Sequence, residues 1–164
     1  MTANNELISL FDREQRIEIE YPGMHKDVSP ALVRFVRPAP GMSFVSYSRL
    51  DETNADAEID AQVAYFRELG QPFEWIVFTH DTPADMPDRL RLHGFKIEEP
   101  EALMILDLSA APDALLGPLP TSLRRVERRE ELSEVKDVLA KVWGKNFDWV
   151  DKRLGEHMEI PGYL

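Results

Sequence analysis

The chain has 164 residues, 43% apolar and 30% charged, which suits one domain, or one domain and part of another, with enough apolar material for a buried core. It contains no cysteine, which excludes disulfides, a thiol nucleophile and a zinc–thiolate site, and its formal net charge of −11 disfavours nucleic-acid backbones and anionic lipid heads as partners. No apolar run approaches the ~18 residues of a membrane span. The polar start Met1-Thr2-Ala3-Asn4-Asn5-Glu6 lacks the basic and apolar regions of a signal peptide, so a cytoplasmic location without membrane association is expected.

Residues 5–19 read as a helix, with Leu7, Ile8, Phe11 and Gln15 near one face and Asp12, Glu14 and Glu18 outside; Tyr21-Pro22-Gly23 stops it. Ala31 to Arg37 and Ser43 to Arg49 alternate in hydrophobicity around Pro38-Ala39-Pro40-Gly41, which predicts a hairpin. Thr53 or Asn54 caps a helix whose Ile59, Val63 and Phe66 share a face; Gly70 fits a left-handed C-terminal residue and Pro72 follows. Phe73 to Thr79 is apolar on both faces apart from Glu74, the pattern of a central strand. Asp85 suits the N-cap of a short helix because Pro87 then falls in the first turn, where its missing N–H is harmless; Gly94 ends it. Lys96 to Glu99 reads as a short strand, and Ala102 to Leu108 as a second strand apolar on both faces.

Pro112, Gly117, Pro118 and Pro120 mark residues 109–121 as a linker with one helical turn at Asp113–Leu116. Leu123 to Glu127 then reads as a new strand. Leu132, Val135, Val138, Leu139 and Val142 form a helical stripe ended by Gly144. Asn146 caps a further helix bearing Phe147, Val150, Leu154 and Met158, closed by Pro161-Gly162, and Tyr163-Leu164 begins a strand. One strand and two amphipathic helices cannot bury their own apolar faces. Residues 122–164 are therefore expected to be covered by the first domain, by a second copy through self-association, or by residues beyond this chain.

The order of elements predicts a mixed α/β chain, and a family resemblance sharpens it. Trp75 on its strand, Leu90-Arg91-Leu92-His93-Gly94-Phe95 ending the short helix, and Leu103-Met104-Ile105-Leu106-Asp107-Leu108 after it resemble the closing β-α-β of the GNAT acetyltransferase fold. Leu123-Arg124-Arg125-Val126 followed by Glu130-Glu131-Leu132 is similar to the opening strand and first helix of a second such domain. The chain as a whole resembles the N-terminal region of bacterial tandem GNAT N-acetyltransferases. The resemblance implies an α+β fold, with a mixed, mostly antiparallel sheet flanked by helices. It implies a GNAT-like domain over 1–110, a linker over 111–121, and the opening strand and two helices of a second, incomplete domain over 122–164.

It also implies transfer of an acetyl group from acetyl-CoA to an amine, by direct attack of the amine on the thioester while a general base takes the proton. Acetyl-CoA is implied as cofactor of the complete protein. GNAT enzymes hold its pyrophosphate with a Gln/Arg-x-x-Gly-x-Gly/Ala loop at a helix start. Every glycine here stands alone, so no cofactor is expected for this chain, which reads as a non-catalytic front portion whose partner is the missing C-terminal catalytic part. The alternative is a non-enzymatic ligand-binding or dimerisation module on a GNAT-like shell; a different α/β fold that shares the Gly-Phe ending by chance is a third reading.

His80 and Asp81 follow the expected central strand, where α/β folds often carry catalytic groups, and a His beside a carboxylate can serve as a base. Adjacent residues on an extended chain point apart, so a loop histidine and a turn-forming Asp81 are the other reading; Glu74 is a third polar candidate, on the face opposite Trp75. Asp81, Asp85 and Asp88 suit the positive end of a helix dipole better than a metal. Arg124, Arg125, Arg128 and Arg129 are balanced by Glu127, Glu130 and Glu131. Trp143, Phe147 and Trp149 cluster at the joint of the last two helices; they read as packing residues or, by the resemblance, as lining the acceptor side of a substrate cleft.

Overall fold

The computed structural model describes residues 3–160 apart from Pro40 and Leu119, so the expected stop at Pro161-Gly162 and strand start at Tyr163-Leu164 lie outside the described residues. The chain divides into two compact units, Met1–Glu101 and Ala102–Leu164. No helix among the described residues is long and apolar enough to cross a membrane.

In the first unit, helix α1 (Ala3–Phe11) runs directly into a π-helical turn, Asp12–Ile17. Strands β1 (His25–Val28), β2 (Leu32–Val36) and β3 (Ser43–Ser48) form an antiparallel meander. Helix α2 (Ala55–Glu68) carries the chain back so that β4 (Phe73–Trp75) lies parallel to β3, and α3 (Met86–Leu92) follows. The sheet order is β1-β2-β3-β4. The fold is thus α+β with a mixed sheet, and the β2–β3 hairpin falls where the alternation puts it.

Leu32, Val45, Leu50, Ala55, Ile59, Trp75, Met86 and Leu90 form one buried cluster joining β2, β3 and β4 to α2 and α3. The buried face of α2 is Ala55, Ile59, Gln62 and Phe66, and Val63, partly buried, packs against the same cluster as expected. Gln62 is admitted because Arg34 Nη1 donates to its Oε1 at 2.9 Å. Helix α2 ends as expected: Gly70 takes φ 65°, open to glycine at no steric cost.

The strand expected over Phe73–Thr79 is shorter and lies at the edge of the sheet, not its centre. Past Trp75 only the Ile76 N–H still reaches across, to the Val45 carbonyl at 3.0 Å. Lys96–Glu99 and Ala102–Leu108 form no ladder among the described residues. One physical reason covers Phe73–Thr79 and Ala102–Leu108. An apolar run on both faces reports a preference for burial, whereas a strand exists only through the neighbour that pairs with it.

The second unit contains α4 (Asp113–Leu116), α5 (Leu132–Trp143) and α6 (Trp149–Met158). Leu123–Glu127, expected as an opening strand, likewise forms no ladder. Gly144 ends α5 in the left-handed region at φ 63°. Asn146 does not cap α6 itself; Asp148 holds that position, and the Asn146 Oδ1 accepts from the Asp148 N–H at 2.6 Å.

Glu131 organises the start of α5. Its Oε2 accepts from the Glu127 and Arg128 N–H groups at 3.1 and 3.2 Å, and its Oε1 lies 2.8 Å from Arg128 and 3.0 Å from Arg124. The Glu127 N–H, then the Arg128 side chain, lower its pKa from 4.5 to about 2. A carboxyl lowered on folding stabilises the fold above its unfolded value and ceases to do so as pH falls through its folded value. The stabilisation is therefore complete above about pH 4.5 and is lost between 4.5 and about 2. An acid titration followed by the amide signals of residues 127–135 is expected to show α5 fraying in that window, and Glu131→Gln to show the frayed start already at neutral pH. An α5 start indifferent to both would contradict this geometry.

Candidate functional site

The strongest polar constellation lies where the π-helical turn meets β3 and the turn after β4. A π turn widens the helix and re-aims its side chains, and such turns are frequent at functional sites. Here it directs Asp12 and Arg16, one helical turn apart, toward the same point. Arg16 is 2% exposed. Its Nε donates to the Ser46 carbonyl at 2.8 Å, and the Ser46 hydroxyl donates to the Arg16 carbonyl at 2.7 Å. Nη1 and Nη2 form a two-pronged pair with the Asp81 carboxylate, each at 2.7 Å, and Nη1 also donates to Asp12 at 2.8 Å. The guanidinium carbon lies 4.4 Å from the centre of the Phe78 ring and 5.0 Å from that of Tyr47.

Burial opposes the charge on Arg16, yet hydrogen bonds and attraction from Asp81 and Asp12 outweigh it and raise its pKa above the ordinary arginine value. Asp81 is satisfied as well, since its Oδ2 also accepts from the Phe78 N–H at 2.9 Å. His80 Nε2 lies 3.0 Å from both oxygens of Asp12 and 3.4 Å from Arg16 Nη1. A carboxylate only accepts, so the Asp12 contact places a proton on Nε2 and makes the Arg16 approach a contact between two donors.

The structure therefore brings His80 and Asp81 together, 3.9 Å apart, despite the opposite directions expected of neighbours on an extended chain. The backbone turns here: the Asp81 N–H bonds the Phe78 carbonyl at 2.9 Å. Their convergence serves Arg16. Asp12, expected on the outer face of the first helix, points inward. Both acids bond the one guanidinium, the Phe78 and Tyr47 rings lie against it, and the chemistry is that of a brace joining the N-terminal helical segment to β3 and the β4–α3 turn. The Asp12–Arg16 spacing was readable as an i, i+4 pair; the link to Asp81, 65 residues away, was not.

Glu74 is exposed on β4, opposite buried Trp75, as expected. Asp85 and Asp88 bond Arg89 and Arg91, and among the described residues no group of three His, Cys, Asp or Glu is placed to hold a metal ion. Arg124 pairs with Glu131 and Glu134, Arg128 with Glu130 and Glu131, and Arg129 with Glu159, so most of the basic group is internally neutralised. In the second unit, Trp143 and Trp149 are 63% and 49% exposed, Phe147 is half-buried 6.1 Å from Trp149, and Arg153 lies 5.7 Å over the Trp149 ring. Val138 and Val142 are exposed on the same helix as Trp143, so that part of the expected stripe faces outward.

The turn from β3 into α2, Arg49-Leu50-Asp51-Glu52-Thr53-Asn54, has a feature the sequence did not reveal. Asp51 Oδ1 accepts from the Thr53 N–H at 2.7 Å, the Thr53 hydroxyl at 2.6 Å and the Asn54 N–H at 3.1 Å, and the Asp51 carbonyl accepts from the Ala55 N–H at 3.1 Å. The Thr53 hydroxyl, then its N–H, lower the Asp51 pKa, so the carboxylate is fixed in its charged form at the start of α2. The Thr53, Asn54 and Ala55 N–H groups, which an anion at this turn would need, are already occupied from within the chain.

Comparison with known proteins gives no match to any family model, curated protein or solved structure.

Proposed function

We propose that the first unit is a non-catalytic front domain of a GNAT-type N-acetyltransferase, the transfer from acetyl-CoA to an amine belonging to another domain. The β3–α2–β4 segment carries this reading. A mostly antiparallel meander that continues through a helix into a parallel strand agrees with the mixed sheet the resemblance implies, and the short helix α3 ends at Gly94-Phe95 as the motif requires.

The turn opening α2 is the place to test the cofactor, and its residues do not fit. Arg49 suits the first position of a Gln/Arg-x-x-Gly-x-Gly/Ala loop, but Glu52 and Asn54 stand where glycines would let a pyrophosphate approach the backbone. Asp51 adds a second negative charge and occupies the Thr53 and Asn54 donors. A phosphate placed here would meet two carboxylates and no free N–H from those residues. The unit's role is then to shape or support a neighbouring catalytic domain, with the Arg16 brace holding the sheet and N-terminal helix as one body.

Calorimetric titration of acetyl-CoA distinguishes the outcomes. No binding heat is expected from the 164-residue chain at millimolar ligand, and micromolar binding is expected from the product of its reading frame continued past Leu164. Saturable heat from the short chain, a reading frame that ends at Leu164, or a longer product that ignores acetyl-CoA would each overturn the proposal.

A further inference from the structure

We propose that two copies of this chain associate by reciprocal strand addition, residues 102–108 of each lying along the free edge of β4 in the other. This inference is independent of the acetyltransferase reading. Beside β4 lies a groove of about 1150 Å³, lined by Phe66, Phe73, Trp75, Val77, Leu90 and Phe95 among others. That exceeds the ~300–1,000 Å³ of ordinary small-ligand sites and suits an extended peptide. Among the described residues, β4 has β3 on one side and no strand on the other. An uncovered apolar edge is a standing template for another strand. The indole Nε1 of Trp75, a groove-lining residue, is buried without a hydrogen-bond partner. A buried donor left unpaired is destabilising by about 1–3 kcal/mol, so an acceptor is wanted in this region.

The same chain carries a strand that lacks a sheet. In Ala102–Leu108, Leu103 and Ile105 alternate with Met104 and Leu106, the pattern of a strand covered on both faces. Yet Leu103, Met104, Ile105 and Leu106 are 49%, 90%, 48% and 52% exposed. Contiguous exposed apolar residues of this kind mark an interaction surface. The groove rim carries Glu74, Glu98, Glu99 and Glu101, which oppose an acidic partner and tolerate a strand whose one charged residue is Asp107 at its far end. Groove and strand are present once each per chain. Their exchange is therefore self-complementary and closes as a two-fold dimer in which each groove receives one strand and each strand one groove. Two reciprocal strands with their flanking side chains cover on the order of the 1,200–2,000 Å² that a stable interface needs.

Sedimentation and cysteine cross-linking of the whole chain test this together. Because the native chain has no cysteine, only introduced thiols react. A Glu74→Cys chain is mixed with a differently tagged chain bearing Met104→Cys or Ile105→Cys, one from each face of the added strand. The expected results are a mass of twice 18.9 kDa, a disulfide-linked heterodimer from one of the mixtures, and at least a tenfold weaker dimer on Met104→Lys. Met104 is 90% exposed, so that substitution leaves the folded core intact. A monomer at ~100 µM overturns the proposal, whether its residue 73–78 amides exchange freely or are protected by some other segment. So does a dimer in which neither mixture cross-links.

Discussion

Asp81→Ala is expected to destabilise the first unit by about 3–5 kcal/mol, among the largest losses any single substitution in this chain should produce. Both partners of the Arg16–Asp81 pair have side chains 2% exposed, so removing one leaves the other buried. Arg16 would keep Asp12 and the Ser46 carbonyl but lose two hydrogen bonds of 2.7 Å. The Phe78 N–H would lose its acceptor as well. Desolvation governs the sign of the comparison: a buried pair often contributes little net stability against an apolar replacement, whereas half of one is strongly unfavourable. Arg16→Met with Asp81→Leu should therefore cost well under the sum of the two single changes. Urea unfolding followed at the Trp75 indole resonance measures all three. An Asp81→Ala loss below about 1 kcal/mol would mean that the pair is solvated and that the brace does not exist.

Phe66→Ala carries the second large effect, about 3–5 kcal/mol. Phe66 is 1% exposed at the last buried turn of α2, and its ring stacks on Phe73 with centroids 4.2 Å apart. It is the point at which the crossover helix grips the edge strand. Truncation removes the apolar area and leaves a cavity against a ring that has no other stacked partner among the described residues. The substitution should also raise amide exchange along β4 before the β1–β3 meander responds, because among the described residues β4 has a ladder on one side only. Trp149→Ala, a change of larger volume at a position 49% exposed, should stay within about 0.5 kcal/mol. If the surface tryptophan proved the costlier of the two, the second unit would be covered in solution.

What the sequence disclosed follows from which forces are local. Helix α2 was legible through Ile59, Phe66 and Gly70, since periodicity and a glycine stop need only neighbouring residues. The β2–β3 hairpin was legible because alternation flanks a breaker. Strand β1, His-Lys-Asp-Val, was missed: it has one strong apolar residue and exists by pairing with β2, not by burial. The strands expected at 102–108 and 123–127 failed for the converse reason, having apolar residues but no ladder, while 96–99, with Ile97 alone, has neither.

At the candidate site, His80 and Asp81 were picked out, but their purpose depends on Arg16, which no pattern in the first helix singles out. The spacing of 65 residues between Arg16 and Asp81 is set by the fold, and no short-range pattern announces it. Asp51 was likewise invisible as a plug, because its role needs the actual geometry of the Thr53 and Asn54 N–H groups.

The most direct test of the cofactor-free reading is at those two amides. In a ¹⁵N-labelled chain titrated with acetyl-CoA to several millimolar, the Thr53 and Asn54 resonances should not move, and the Asp51 carboxyl should titrate below its ordinary value of 3.8, as its hydrogen bonds from Thr53 require. Saturable shifts at Thr53 and Asn54, with Asp51 titrating at or above 3.8, would show that the turn opens to a phosphate and that the first unit can hold the cofactor after all.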